Sequence, residues 1–144
     1  TNIRKNSKTK GKLMEEVYKS LVLKYANLID MKNFTGLQEI LWEDFAMSGA
    51  FELHGAQNFI NSLDQLKNFE STMHRVSNIQ MHESNGNVTH GSCYCIASHI
   101  GINNEDKYIL DMGIIYRDTI ESRDGESKLL KRDFSLIWQE QRSL

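Results

Sequence analysis

Proline is absent from the 144 residues, and the chain holds no internal repeat or low-complexity tract. Proline-rich linkers and solenoid arrays are therefore excluded. Cysteine is nearly as scarce: Cys93 and Cys95 are the only two. Two positions apart in an apparent strand, they could close a disulfide only with strained geometry. They read as reduced core residues, which suits a reducing compartment. No apolar run approaches the roughly 20 residues needed to cross a bilayer, and the basic opening TNIRKNSKTKGK lacks the apolar stretch of a secretory signal. A cytoplasmic location is expected. Nor is there an excess of charge: a formal net charge of −2 gives no electrostatic reason to expect nucleic acid or an anionic membrane as partner.

A chain of this length, 40% hydrophobic and 25% charged, can bury a core of its own. Residues 1–11 are polar, basic and aperiodic, so they read as a loose tail, with a single domain over 12–144. From Leu13, apolar residues recur at Val17, Leu21 and Leu28 with Met14, Tyr18, Val22 and Tyr25 alongside. That is the stripe of an amphipathic helix ending near Asp30. A short helix around Phe34 to Trp42 should lead into a strand marked by Phe45, Met47, Gly49, Phe51 and Leu53. Another helix carries Phe59, Ile60, Leu63 and Leu66 on one side. Long strands are predicted over about 71–82, 87–100, 108–121 and 128–138. Asn85-Gly86 and Asp124-Gly125 are hairpin signals, and 101–106 offers a looser connection. Helices first and an antiparallel sheet after them make the fold class α+β.

With Asn85-Gly86 as a two-residue turn, paired residues sum to 171, so His74 lies opposite Ala97 and Thr72 opposite His99. The two histidines then share a face as diagonal neighbours, roughly 7 Å apart at Cβ. On that face Thr89, Gly91, Cys93, Cys95 and Ala97 are small, and small side chains leave room for a pocket. The same register puts His82 and His90 on opposite faces, and no metal site is expected. Trp42, Phe45, Phe51, Phe59 and Phe134 are candidate substrate-binding aromatics. Arg117 and Arg132 could bind an acidic substrate, but as strand arginines they read as solvent-facing, and His54, Glu43 and Asp44 read as loop and turn. The outward face with Ile79, Met81, Val88, Tyr94 and Ile96 is apolar enough to suggest a homodimer or homotrimer.

Four segments in order, YANLIDMKNFTGLQEILWEDF, STMHRVSN, GIIYRDTIESRDG and KRDFSLIW, give the chain from about 13 to 138 a resemblance to the SnoaL-like, nuclear-transport-factor-2-like superfamily. Its members include scytalone dehydratase, bile acid 7α-dehydratase, hexachlorocyclohexane dehydrochlorinase and polyketide cyclases. The resemblance implies a cone, in which a strongly curved antiparallel sheet wraps around N-terminal helices. It also implies that Asp30, closing the first helix, pairs with His74 of Thr72-Met73-His74. His99 stands at the offset of the second active-site histidine of scytalone dehydratase, and Tyr25 where the bile acid enzyme has a tyrosine. Tyr116 resembles a pocket-lining position. Ile29 and Gly49 stand where scytalone dehydratase has pocket tyrosines, and Ala97 or a neighbour where the bile acid enzyme has another aspartate. The expected function is a lyase that needs no cofactor, of dehydratase type, acting on a small hydrophobic cyclic molecule such as a steroid, terpenoid or polyketide. Asp30, His74, His99 and Tyr25 would be catalytic, with Ala97 and Tyr116 lining the site. The alternatives are an isomerase or cyclase using the same proton transfer, or a non-catalytic ligand-binding or assembly module.

Overall fold

The structure, a computed structural model, describes residues 2–144. Helix α1 runs Asn2–Asp30 and is followed by a 3-10 turn, Thr35–Glu39, and strand β1, Leu41–Gly49. A two-residue strand β2 (Leu53–His54), helix α2 (Ala56–Ser62) and a second 3-10 turn (Leu63–Asn68) come next. Four long strands complete the chain: β3 (Ser71–Asn85), β4 (Val88–Asn103), β5 (Asp106–Arg123) and β6 (Glu126–Ser143). They form one curved sheet in the order β2-β1-β6-β5-β4-β3, antiparallel except where β1 runs parallel to β6. The α+β cone expected from the sequence is the fold observed. Among the described residues, no helix is long and apolar enough to cross a membrane.

Helix α1 buries Tyr18, Leu21, Val22, Tyr25, Ala26, Leu28 and Ile29, the 3.6-residue stripe that the sheet covers. It stops where Lys32 turns left-handed (φ 54°) and the Asn33 amide bonds back to the Leu28 carbonyl. This C-terminal closure satisfies backbone carbonyls and leaves the Asp30 side chain free to reach the sheet. Residues 2–11, expected as a loose tail, continue α1 instead, although every side chain from 2 to 10 is exposed. Extension of a nucleated helix by lysines and other non-proline residues needs no tertiary contact. The segment is helical in backbone and unpacked in side chains.

The β3–β4 hairpin turns at Gly86-Asn87, one residue later than expected, with Asn85 paired to Val88. Only Gly86 is left-handed there (φ 58°), the pattern of a II′ rather than a I′ turn. Two register shifts, between Ser77 and Gln80 and between Met81 and Glu83, then take up two residues on β3. His74 is thereby returned to Ala97 and Thr72 to His99. Between the shifts the faces exchange. Ile79 packs against the core and Met81 pairs with inward Gly91, so neither belongs to the outer apolar face. His82 reaches Ser92 on the outer face that also carries His90, which corrects their assignment to opposite sides. Among the described residues no cluster of three metal-binding side chains results. The 101–106 connection is tight: Asn103 pairs with Asp106 across left-handed Asn104 and Glu105.

Candidate active site

The carboxylate of Asp30 meets β3 with both oxygens occupied. Oδ1 lies 2.6 Å from His74 Nδ1 and accepts from the Thr72 hydroxyl at 2.9 Å, while Oδ2 accepts the His74 backbone N–H at 2.9 Å. Burial alone would push this carboxyl up, but the bonds from His74 and Thr72 outweigh it and hold Asp30 below its ordinary value. An ionised carboxylate only accepts, so the proton of a neutral His74 sits on Nδ1 and Nε2 keeps its lone pair. The His74 side chain is 6% exposed. Its remaining nitrogen is thus a shielded acceptor.

His99 is buried beside it, ring centroids 6.1 Å apart and nearly edge-on. Its Nδ1 lies 3.1 Å from the Leu110 carbonyl, which must accept, so the second imidazole also presents a bare Nε2. Burial, reinforced by His74, lowers its pKa. A neutral imidazole with its one N–H committed to the Leu110 carbonyl has no second proton to donate.

Both imidazoles open into a cavity of about 580 Å³ between the sheet and the end of α1. Of the residues anticipated, Tyr25, Phe51, Phe59, His74, Ala97, His99, Tyr116 and Phe134 line it. Asp30 stands behind His74. Tyr25 and Asp30, five apart on α1, point differently as an ideal helix requires, and no bend is needed because only Tyr25 must face the cavity. Two anticipated residues do not belong. Trp42 donates its indole N–H to the Glu121 carbonyl at 2.8 Å and is flanked by Arg123 and Lys128; Phe45 is fully buried behind Phe59, 5.3 Å between ring centroids. The β1 residue that reaches the cavity is Met47. Trp42→Ala should therefore leave kcat and KM within about twofold of the parent, whereas Phe134→Ala should raise KM; steady-state kinetics on the two variants side by side checks the assignment.

Sequence reasoning also passed over Leu63, Leu66, Met112 and Ile114, all in the cavity wall. Alternation gave a signal for the last two, since 112, 114 and 116 share a face of β5. Gly49 holds a left-handed φ of 99°, and a Cβ there would lie 2.1 Å from the Phe134 carbonyl oxygen. No side chain can fill the place where scytalone dehydratase has a tyrosine.

The largest correction concerns Arg132, read as solvent-facing but 1% exposed. Its Nε and one terminal nitrogen donate to the two oxygens of Asp118 at 2.8 and 3.1 Å. The Tyr18 hydroxyl donates to the same carboxylate at 2.7 Å. The guanidinium carbon lies 4.2 Å from the Tyr25 ring centre and 3.7 Å from that of Tyr116. A buried ion pair thus backs the wall that carries both pocket phenols.

A family model for the SnoaL-like domain matches residues 15–133. Comparison with curated protein sequences gives no match. Among solved structures, a protein assigned as a scytalone dehydratase from Novosphingobium aromaticivorans superposes with a TM-score of 0.78 at 22% identity, covering 92% of this chain and 90% of that one. A type 2 hexachlorocyclohexane dehydrochlorinase gives 0.77 at 15% identity over 92% and 90% of the two chains. The Kfla4162 protein of Kribbella flavida gives 0.76 at 12% identity over 90% and 95%. At such identities the likeness is one of fold.

Proposed function

This chain belongs to the SnoaL-like domain family, and from that premise we propose that it is a lyase that needs no cofactor, with His74 as general base. The observation that carries the reading is the 2.6 Å contact of Asp30 with His74 Nδ1, which turns the free Nε2 toward an apolar cavity. Nε2 takes a C–H proton from a carbon next to a carbonyl or to a carbon bearing the leaving group. Asp30 fixes the tautomer and stabilises the imidazolium. The C–H electron pair becomes the new π bond, and the leaving group departs with its own pair. Where that group is hydroxide, a phenol of Tyr25 or Tyr116 supplies the proton that makes it water. Nε2 of His99 accepts a hydrogen bond from a substrate O–H or N–H and orients the ring.

The cavity falls within the roughly 300–1,000 Å³ usual for small-molecule sites, and apart from Glu52, Ser62, Gln65 and the two tyrosines its other walls are apolar. This supports a hydrophobic cyclic substrate of steroid, terpenoid or polyketide size. The dehydratase and the dehydrochlorinase among its structural neighbours support elimination. An isomerase or cyclase is the second reading, favoured by the shielding of His74, since a proton kept from bulk solvent can return to another carbon of the same molecule. On the outer face Tyr94, Ile96 and Trp138 remain part exposed in adjoining register, which supports a homodimer or homotrimer.

The test uses nitrobenzisoxazole, a small neutral aromatic whose ring opens when a base removes one C–H proton and which releases a coloured phenolate. The protein should accelerate this opening with saturation kinetics at least about 100-fold over free imidazole at equal concentration. A rate no greater than that of imidazole would remove the base from the proposal.

A further inference from the structure

A buried ion pair is an uneconomical way to fill a core, because apolar residues of the same volume commonly do as well or better. Asp118 and Arg132 are among the most buried polar residues here, at 3% and 1% exposure, and neither lines the cavity. Their place in the fold is specific: the guanidinium sits between Tyr25 and Tyr116, whose rings meet at 70° with centroids 6.2 Å apart. A cation against two aromatic faces holds both rings, and a bidentate carboxylate fixes the plane and position of the cation. Asp118 is fixed in turn by the Tyr18 hydroxyl. Tyr18 comes that close because β4 has Gly91 beneath it, where a Cβ would lie 2.4 Å from the ring.

Taking Tyr25 and Tyr116 as the donors of the reaction read above, we propose that Asp118, locked by Tyr18, is a positioning residue: it holds Arg132 between the two rings and so sets where both phenol hydroxyls stand in the cavity. The chain of contacts runs from α1 through β5 to β6 and back to the pocket wall, and none of its first three members needs to touch substrate. Arg132 also acts on the phenols through its charge. Burial pushes the Tyr25 hydroxyl up to about 12, and the guanidinium pulls against that shift, favouring the negative charge a donor acquires as its proton is shared.

Asp118→Asn and Tyr18→Phe separate this role from simple packing, with arginine-labelled NMR and nitrobenzisoxazole kinetics as paired readouts. In the parent, the Arg132 Nε–H resonance should be displaced upfield by the flanking rings and slow to exchange. In Asp118→Asn it should move to the free-arginine position and exchange rapidly, while kcat falls at least about tenfold, because both phenols hydrogen-bond the oxygen that gains charge as the N–O bond of the probe breaks, and KM stays within about twofold. Tyr18→Phe should show the same two effects in smaller degree, and it carries the test alone if Asp118→Asn does not fold. A folded variant with an unmoved Arg132 resonance, or a displaced resonance with unchanged kcat, overturns the positioning role. The NMR arm does not depend on His74: loss of the general-base reading leaves it standing, and an unmoved resonance leaves the base untouched.

Discussion

His74→Ala should lower kcat for nitrobenzisoxazole opening by about 100- to 10,000-fold, the range that a positioned general base contributes, while the protein stays folded. The fold survives because two of the three bonds to Asp30 do not involve the imidazole: the residue 74 amide and the Thr72 hydroxyl still hold the carboxylate. Asp30→Asn should fall nearly as far for a different reason. An amide can offer its N–H to Nδ1 and drive the proton onto Nε2, leaving a well-placed ring in the wrong tautomer. The double variant should be no worse than His74→Ala, since the two side chains act as one unit. Steady-state kinetics on the three variants, with circular dichroism as the control for folding, checks each step. A folded His74→Ala protein that keeps a third of the parent rate would sink the assignment.

The parts of this site legible in the sequence are those set by local periodicity. The apolar stripe of α1 runs to Ile29 and ends, which places Asp30 at a helix terminus whatever follows. The His74–Ala97 register was also legible, but by cancellation: the turn lies one residue later than Asn85-Gly86 suggests, and two shifts on β3 restore the sum. Nothing in the alternation near Asn78 announces the first of them, where that residue adopts φ 50°. A bulge answers to what lies under the strand rather than to its own side chains.

The burial of Arg132 was hidden by the same kind of feature. Counting from the Asp124-Gly125 turn, an unbroken ladder pairs Arg132 with Arg117 and Asp118 with Lys131, which looks like ordinary surface charge. A register shift between Thr119 and Ile120 leaves Leu130 unpaired and brings Asp118 opposite Arg132. The inward parity was nonetheless available, since Asp118 shares its face with Ile114, Tyr116 and Ile120, and Arg132 shares its own with Phe134. Two opposite charges on the inner faces of neighbouring strands were the available signal.

That pair governs the second large effect. Arg132→Met should cost about 3–5 kcal/mol of stability, because it strands the buried Asp118 carboxylate with only the Tyr18 hydroxyl and no opposing charge. The loss should be mostly recovered when the whole polar group is removed: Tyr18→Phe, Asp118→Leu and Arg132→Met together leave only the weakly accepting Cys93 sulfur without its partner. Urea denaturation of the parent, the single variant and the triple variant measures both numbers. A cost below about 1 kcal/mol for Arg132→Met would mean that water or a shifted side chain meets the carboxylate, and that the core there is looser than its contacts imply. The triple variant also divides stability from function. If the ion pair exists to order Tyr25 and Tyr116, the apolar core restores folding and leaves nitrobenzisoxazole turnover depressed, because leucine and methionine fill the volume behind the two rings without fixing where their hydroxyls stand.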